Sequence, residues 1–119
     1  YGDSRFDFCL ECRGAIQFVE VKGVTLLRDG RALFPDAPTE RGVKHLRGLV
    51  RAVQEGYEAA AVFVIQMKQA RAFSPNDETQ SAFGQALREA ARAGVGLYAY
   101  DCRVTPDHLC IDAPVPVEL

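Results

Sequence analysis

The sequence predicts an α/β domain built as a mixed β-sheet flanked by helices, and three observations carry that reading. Residues 18–27, F-V-E-V-K-G-V-T-L-L, alternate with period two and are rich in β-branched side chains, as a central strand is. Residues 58–66, E-A-A-A-V-F-V-I-Q, form an apolar run of strand length that suits a parallel strand covered on both sides. Two stretches of helical periodicity, 40–55 and 79–93, lie around that run, and a strand-helix-strand order calls for crossover connections and parallel pairing.

The elements follow in order. Residues 5–12, R-F-D-F-C-L-E-C, alternate strictly, with Phe6, Phe8, Leu10 and Cys12 on one face and Arg5, Asp7, Cys9 and Glu11 on the other. Arg13-Gly14-Ala15 offers a turn, so this strand and the next pair as an antiparallel hairpin, which brings residue 7 opposite residue 20 or 21. On the second strand Phe18, Glu20, Lys22, Val24 and Leu26 share one face and Val19, Val21 and Gly23 the other. Arg28-Asp29-Gly30 is a turn, and residues 31–34 form a third strand. A proline-punctuated loop then leads to a helix with Thr39 as N-cap and Glu40 at its positive end. This helix runs to about residue 55, stops at Gly56, and buries Val43, Leu46, Leu49, Val50 and Val53. Its other side carries Arg41, Lys44, His45, Arg47 and Arg51.

After the apolar strand, residues 67–73 read as a short helical turn or an irregular crossing, and 74–77 as a loop. The second helix points Phe83, Leu87, Ala90 and Ala91 inward and ends at Gly94. Residues 95–104 form a strand, Thr105-Pro106-Asp107 a turn, 109–112 a short edge strand, and Pro114 and Pro116 mark an extended tail. The expected order is β-β-β-α-β-α-β-β, a single domain over residues 1–119.

At 119 residues the chain is long enough to bury a sizeable core. No apolar run approaches the ~18 residues of a membrane span and no segment resembles a signal peptide, so a cytoplasmic location is expected. The chain begins at Tyr1 without methionine, which suggests a processed or excised piece. A net charge of −2 and a pI of 5.7 argue against nucleic-acid binding through bulk charge; such binding has to come from a local basic surface. Cys9 and Cys12 have the spacing of a zinc half-site, but alternation points them to opposite faces and Cys102 and Cys110 are separated by seven residues, so free, buried thiols are expected.

The chemistry concentrates on Glu20 and Lys22. Glu-x-Lys on a strand is most often an ion pair on a solvated sheet, but on a largely buried strand both charges are costly unless paired or bound to something. Cleaving a phosphodiester requires cations to offset developing charge and a water made nucleophilic near neutral pH. Two carboxylates, Asp7 and Glu20, with the main-chain carbonyl of Val21, suit Mg²⁺ (or Mn²⁺), a hard ion that keeps several waters. Lys22 then holds the attacking water. The first helix presents a nearly one-signed basic face, where a merely solvated face mixes signs, and this suits phosphate tracking.

An Asp on one strand and Glu-x-Lys on the next resembles the PD-(D/E)XK nuclease superfamily, whose restriction-endonuclease-like αβββαβ core agrees with the order above. The longer strings Ser4-Arg5-Phe6-Asp7-Phe8, Val19-Glu20-Val21-Lys22-Gly23-Val24-Thr25-Leu26, and Phe34-Pro35-Asp36-Ala37-Pro38-Thr39-Glu40-Arg41-Gly42 followed by Lys44-His45-Leu46 closely resemble the sugar fermentation stimulation protein A family. The likeness continues through Phe73-Ser74-Pro75, Ala93-Gly94-Val95 and Pro114-Val115-Pro116-Val117. It implies a C-terminal nuclease-like domain that an N-terminal OB-like domain precedes in the family, and a bacterial or archaeal DNA-binding protein linked by name to sugar-fermentation genes. Carried over by position, Asp7, Glu20 and Lys22 are catalytic, with Asp7, Glu20 and Val21 as metal ligands. Arg5, Thr39, Arg41, Lys44, His45, Arg47 and Arg51 are candidate contacts to double-stranded DNA, and Asp36 and Glu40 candidate cleft residues. The usual Ser after the Lys is Gly23 here. Two functions follow as expectations: a divalent-metal-dependent phosphodiesterase acting on DNA, or a non-catalytic DNA-binding regulator that keeps the nuclease fold as a scaffold.

Overall fold

A computed structural model describes the main chain of residues 8–12, 15–107 and 109–119, and the side chains from residue 16 onward except residue 108. Its elements are β1 (Phe8–Cys12), β2 (Ala15–Val24), β3 (Leu26–Arg28), β4 (Arg31–Phe34), α1 (Glu40–Gln54), β5 (Glu58–Ile65), β6 (Ala72–Pro75), α2 (Ser81–Ala93), β7 (Gly96–Val104) and β8 (Leu109–Pro114). The main sheet has strand order β1-β2-β5-β7-β8, antiparallel at both edges and parallel across β2-β5-β7. A second sheet, β3-β4-β6, stands apart from it.

The hairpin forms as the alternation requires, with Phe8 opposite Val19 and Cys12 opposite Ala15. Asp7 and Arg5 precede the first described residue, so the expected pairing of residue 7 lies outside the described residues. The segment expected to be one strand to residue 27 is two. Val24 accepts the last cross-strand bond from the Gln66 N–H, Thr25 is unpaired, and β3 turns away to pair with β4. The chain changes partners there without losing its extended pattern, so alternation alone carries no mark of the break. Residues 67–73, ambiguous by pattern, lead into a strand: β6 runs parallel to β4, and Phe73 is also bridged by the tail, bonding Pro116 and Glu118 through its main chain.

Both helices lie on one face of the main sheet. Parallel register pairs Glu20 with Ala61 and Lys22 with Phe63, so these side chains share a face. Helix α1 reaches that face through His45 at Glu20 and α2 through Phe83 at Phe63, and the two helices pack on each other. The core between them is aromatic. Phe63 stacks on Phe73 with ring centroids 4.3 Å apart, and Phe34 sits 5.1 Å from Phe83 and 5.9 Å from Phe63.

The helix ends behave as their chemistry dictates. Thr39 caps α1, its hydroxyl accepting the Gly42 N–H at 2.9 Å, and Gly94 ends α2 in the left-handed conformation at φ 103°. Gly42 allows the close approach of α1 to α2, since a Cβ there would lie 2.8 Å from Thr39 and 3.3 Å from Phe83. Two helical positions differ from expectation. Ala91 is exposed and Ala86 takes the buried place instead, and His45 lies on the buried face of α1 with Gly42, Leu49 and Ala52. Of the thiols described, Cys102 is free and buried, whereas Cys110, expected buried, is free and exposed on the edge strand β8.

Candidate functional site

Strand β2 runs second in the main sheet, and its helix-facing side chains follow the sequence Phe18, Glu20, Lys22, Val24. Phe18 and Val24 join the core, which leaves the two charged groups between them enclosed. Glu20 is 3 % exposed, and Lys22 only 19 %. A carboxylate so buried is costly in its ionised form without compensating donors. Two converge on one of its oxygens: Lys22 Nζ lies 2.9 Å and His45 Nδ1 2.8 Å from Oε1.

The Nδ1 contact is attractive only with a proton on that nitrogen, so the imidazole donates to Glu20 through Nδ1. Lys22 Nζ and His45 Nδ1 are 3.1 Å apart because both aim at the same oxygen. The second oxygen is treated differently. Oε2 of Glu20 is buried and has no hydrogen-bond partner among the described residues. Buried carboxylate oxygens are nearly always partnered, so an orphan one has room for a donor, an ordered water or a cation. A hard divalent ion fits this oxygen, since it takes carboxylate and carbonyl oxygens and keeps several waters. Glu20 and His45 are not joined by a third carboxylate, thiol or imidazole among the described residues. Asp7, the expected second ligand, lies outside them.

The remaining candidates separate into two groups. Val21 follows Glu20 on β2, opposite Val62, with its side chain on the face away from the helices. Asp36 is exposed in the loop before α1. Thr39 spends its hydroxyl on the helix cap. Arg41, Lys44, Arg47 and Arg51 are all exposed on the outer side of α1, at helical spacing, so they form one stripe. Glu40, Lys44, Arg47 and Arg51 line a groove together with Gln80 and Ala82 at the start of α2. One side chain holds that groove together. Gln80 accepts the Thr39 N–H through Oε1 at 2.8 Å and donates from Nε2 to the Thr39 carbonyl at 3.2 Å, tying the starts of the two helices.

His45 is therefore not part of the basic stripe. Its place on the buried face of α1 was legible in the spacing, three residues after Gly42 and four before Leu49 on the apolar arc of the helix, whereas its meeting with Glu20 was not. Gln80 had no comparable signal. A further polar knot at the other end of the sheet was also missed. Lys68 donates to both oxygens of the buried Asp101 at 3.1 Å and contacts Asp112 at 2.5 Å, while Asp101 also accepts the Ala113 N–H, which fastens β8 to β7. At Gly23 an added side chain would meet the Gln66 amide nitrogen, 2.8 Å from the Cβ position and on the face away from Glu20.

Comparison with known proteins agrees with this frame. The chain is 59% identical over 109 residues to the sugar fermentation stimulation protein homolog of Desulfitobacterium hafniense (strain Y51), covering 92% of the chain and 48% of that protein. To the homolog of Clostridium beijerinckii it is 51% identical over 119 residues, covering 100% of the chain and 53% of that protein. The chain thus spans about half the length of the curated relatives it matches. The solved structure of Pyrococcus furiosus SfsA in complex with Ca²⁺ superposes with a TM-score of 0.93 at 28% identity, over 99% of this chain and 52% of that one. Residues 1–108 match the family model of the sugar fermentation stimulation protein RE domain, and the chain belongs to that family.

Proposed function

We propose that this domain is a divalent-metal-dependent phosphodiesterase acting on double-stranded DNA. The observation that carries the reading is the buried carboxylate of Glu20, with one oxygen held by Lys22 and His45 and the other without a partner. The Ca²⁺ held by the similar protein from Pyrococcus furiosus supports a divalent cation in the fold.

In this reading Glu20 Oε2, the Val21 carbonyl and Asp7 hold Mg²⁺ or Mn²⁺. The cation, when bound, supplies positive charge at the phosphate and at the leaving oxygen. Lys22, 19 % exposed and 2.9 Å from Oε1 of Glu20 at rest, orients a water for in-line attack. The stripe of Arg41, Lys44, Arg47 and Arg51 meets phosphates along one strand and sets the position of the duplex without reading its sequence.

The test is cleavage of supercoiled and linear duplex DNA with Mg²⁺ or Mn²⁺, comparing the wild-type chain with Asp7→Ala and Lys22→Ala. Metal-dependent nicking that both variants lose is the expected result. Cleavage retained by either variant overturns the assignment. DNA retention by the wild type without any cleavage favours the scaffold reading, in which the same fold binds and does not cut.

A further inference from the structure

The enclosed carboxylate carries a second consequence, which rests on the metal reading above: the two oxygens of Glu20 are not interchangeable. A carboxylate free to rotate would offer either oxygen, or both, to a cation. Here Oε1 is occupied by two donors from different elements, Lys22 two residues along the same strand and His45 from α1. We infer that His45 is a positioning residue, which locks Oε1 so that Oε2 alone faces the cation, and does so independently of Lys22.

The independence follows from where the two donors sit. Lys22 is the wetter of the pair, on a flexible stem, and its ammonium is the group that has to swing toward water or phosphate during a reaction. His45 is 7 % exposed and rides on a helix anchored by Leu46 and Leu49, both buried in the core. Its imidazole has two torsions and a fixed ring, so the Nδ1–H vector is set by the packing of α1 on the sheet. When Lys22 leaves Oε1, His45 keeps the carboxylate from rotating its bonded oxygen away and its orphan oxygen out of line. Partners of this kind typically alter metal affinity 10–100-fold.

The chemistry supplies its own control, since asparagine carries an N–H donor at the same distance along the side chain as Nδ1 of histidine. Glutamine places its donor one bond further out, and alanine has none. The experiment is isothermal titration of Mn²⁺ and Ca²⁺ into wild type, His45→Asn, His45→Gln, His45→Ala and Glu20→Gln, each checked for native circular dichroism. The wild type binds, Glu20→Gln does not, His45→Asn stays within about 3-fold, and His45→Gln and His45→Ala lose about 10-fold or more.

A wild type that binds neither ion, or binds as well with Glu20→Gln, overturns the metal reading itself. Binding by the wild type with unchanged affinity in His45→Ala overturns the positioning role while the metal reading stands. If His45→Ala does not fold, the two amides decide: equal affinity in His45→Asn and His45→Gln means packing alone is at work, and overturns the inference.

Discussion

Replacing Lys22 with methionine probes the ion pair at the centre of the site while keeping the length of the stem. Its Nζ is 2.9 Å from Oε1 of Glu20, which is 3 % exposed, whereas the Lys22 side chain is itself 19 % exposed. Removing one member of a fully buried pair costs about 3–5 kcal/mol because the other is left charged and unpaired. Solvent at the lysine end and the surviving His45 donor reduce this, to about 1–3 kcal/mol. At an unfolding entropy of about 2.1 cal/mol/K per residue, that is a fall in Tm of roughly 4–12 °C for a chain of this size. The assay is urea and thermal unfolding of Lys22→Met, Glu20→Gln and the double variant. A coupling energy of about 1 kcal/mol or more is expected, since the glutamine no longer needs the ammonium. A Lys22→Met protein as stable as the wild type, or a coupling below about 0.3 kcal/mol, refutes the view that the pair compensates a buried charge.

Two further predictions concern the frame around the site. Phe63 is fully buried and meets three other rings, so Phe63→Ala should cost about 3–5 kcal/mol in urea unfolding, and a loss under about 1.5 kcal/mol would show that the aromatic layer collapses around the gap. At the far edge, the hydrogen bond from Lys68 holds the Asp112 carboxyl below the ordinary carboxylate range, with Arg103 adding to it and partial desolvation opposing. A carboxyl lowered in the folded state contributes stability above its unfolded pKa and loses it as pH falls through the folded one. The stability gap between wild type and Asp112→Asn should therefore narrow from about pH 6 to about pH 2, and a gap that stays constant would mean that the ion pair contributes nothing.

Much of this molecule is written locally. Alternation on residues 18–24 separates Glu20 and Lys22 from Val19 and Val21, and the structure keeps that separation because a strand has no other way to place its side chains. The Thr39 cap and the Gly56 and Gly94 stops likewise follow from backbone chemistry within a few residues. The family strings carried the identity over nearly the whole chain.

Other features depend on which distant segments meet. That β3 and β4 leave the main sheet, and that β6 exists at all, depends on partners 41 residues apart, Leu33 and Ser74 among them. Both helices share one face because Leu46 and Leu49 of α1 and Phe83 and Leu87 of α2 enter the same core, which periodicity in each helix cannot express. The site itself divides along the same line. By sequence alone this chain had a glutamate and a lysine on one face of one strand; the tertiary structure decided that a histidine 25 residues after that glutamate would complete the trio. The reason is physical: a buried carboxylate needs donors, and only the packing of α1 against β2 determines which of its oxygens receives them and which is left for a cation.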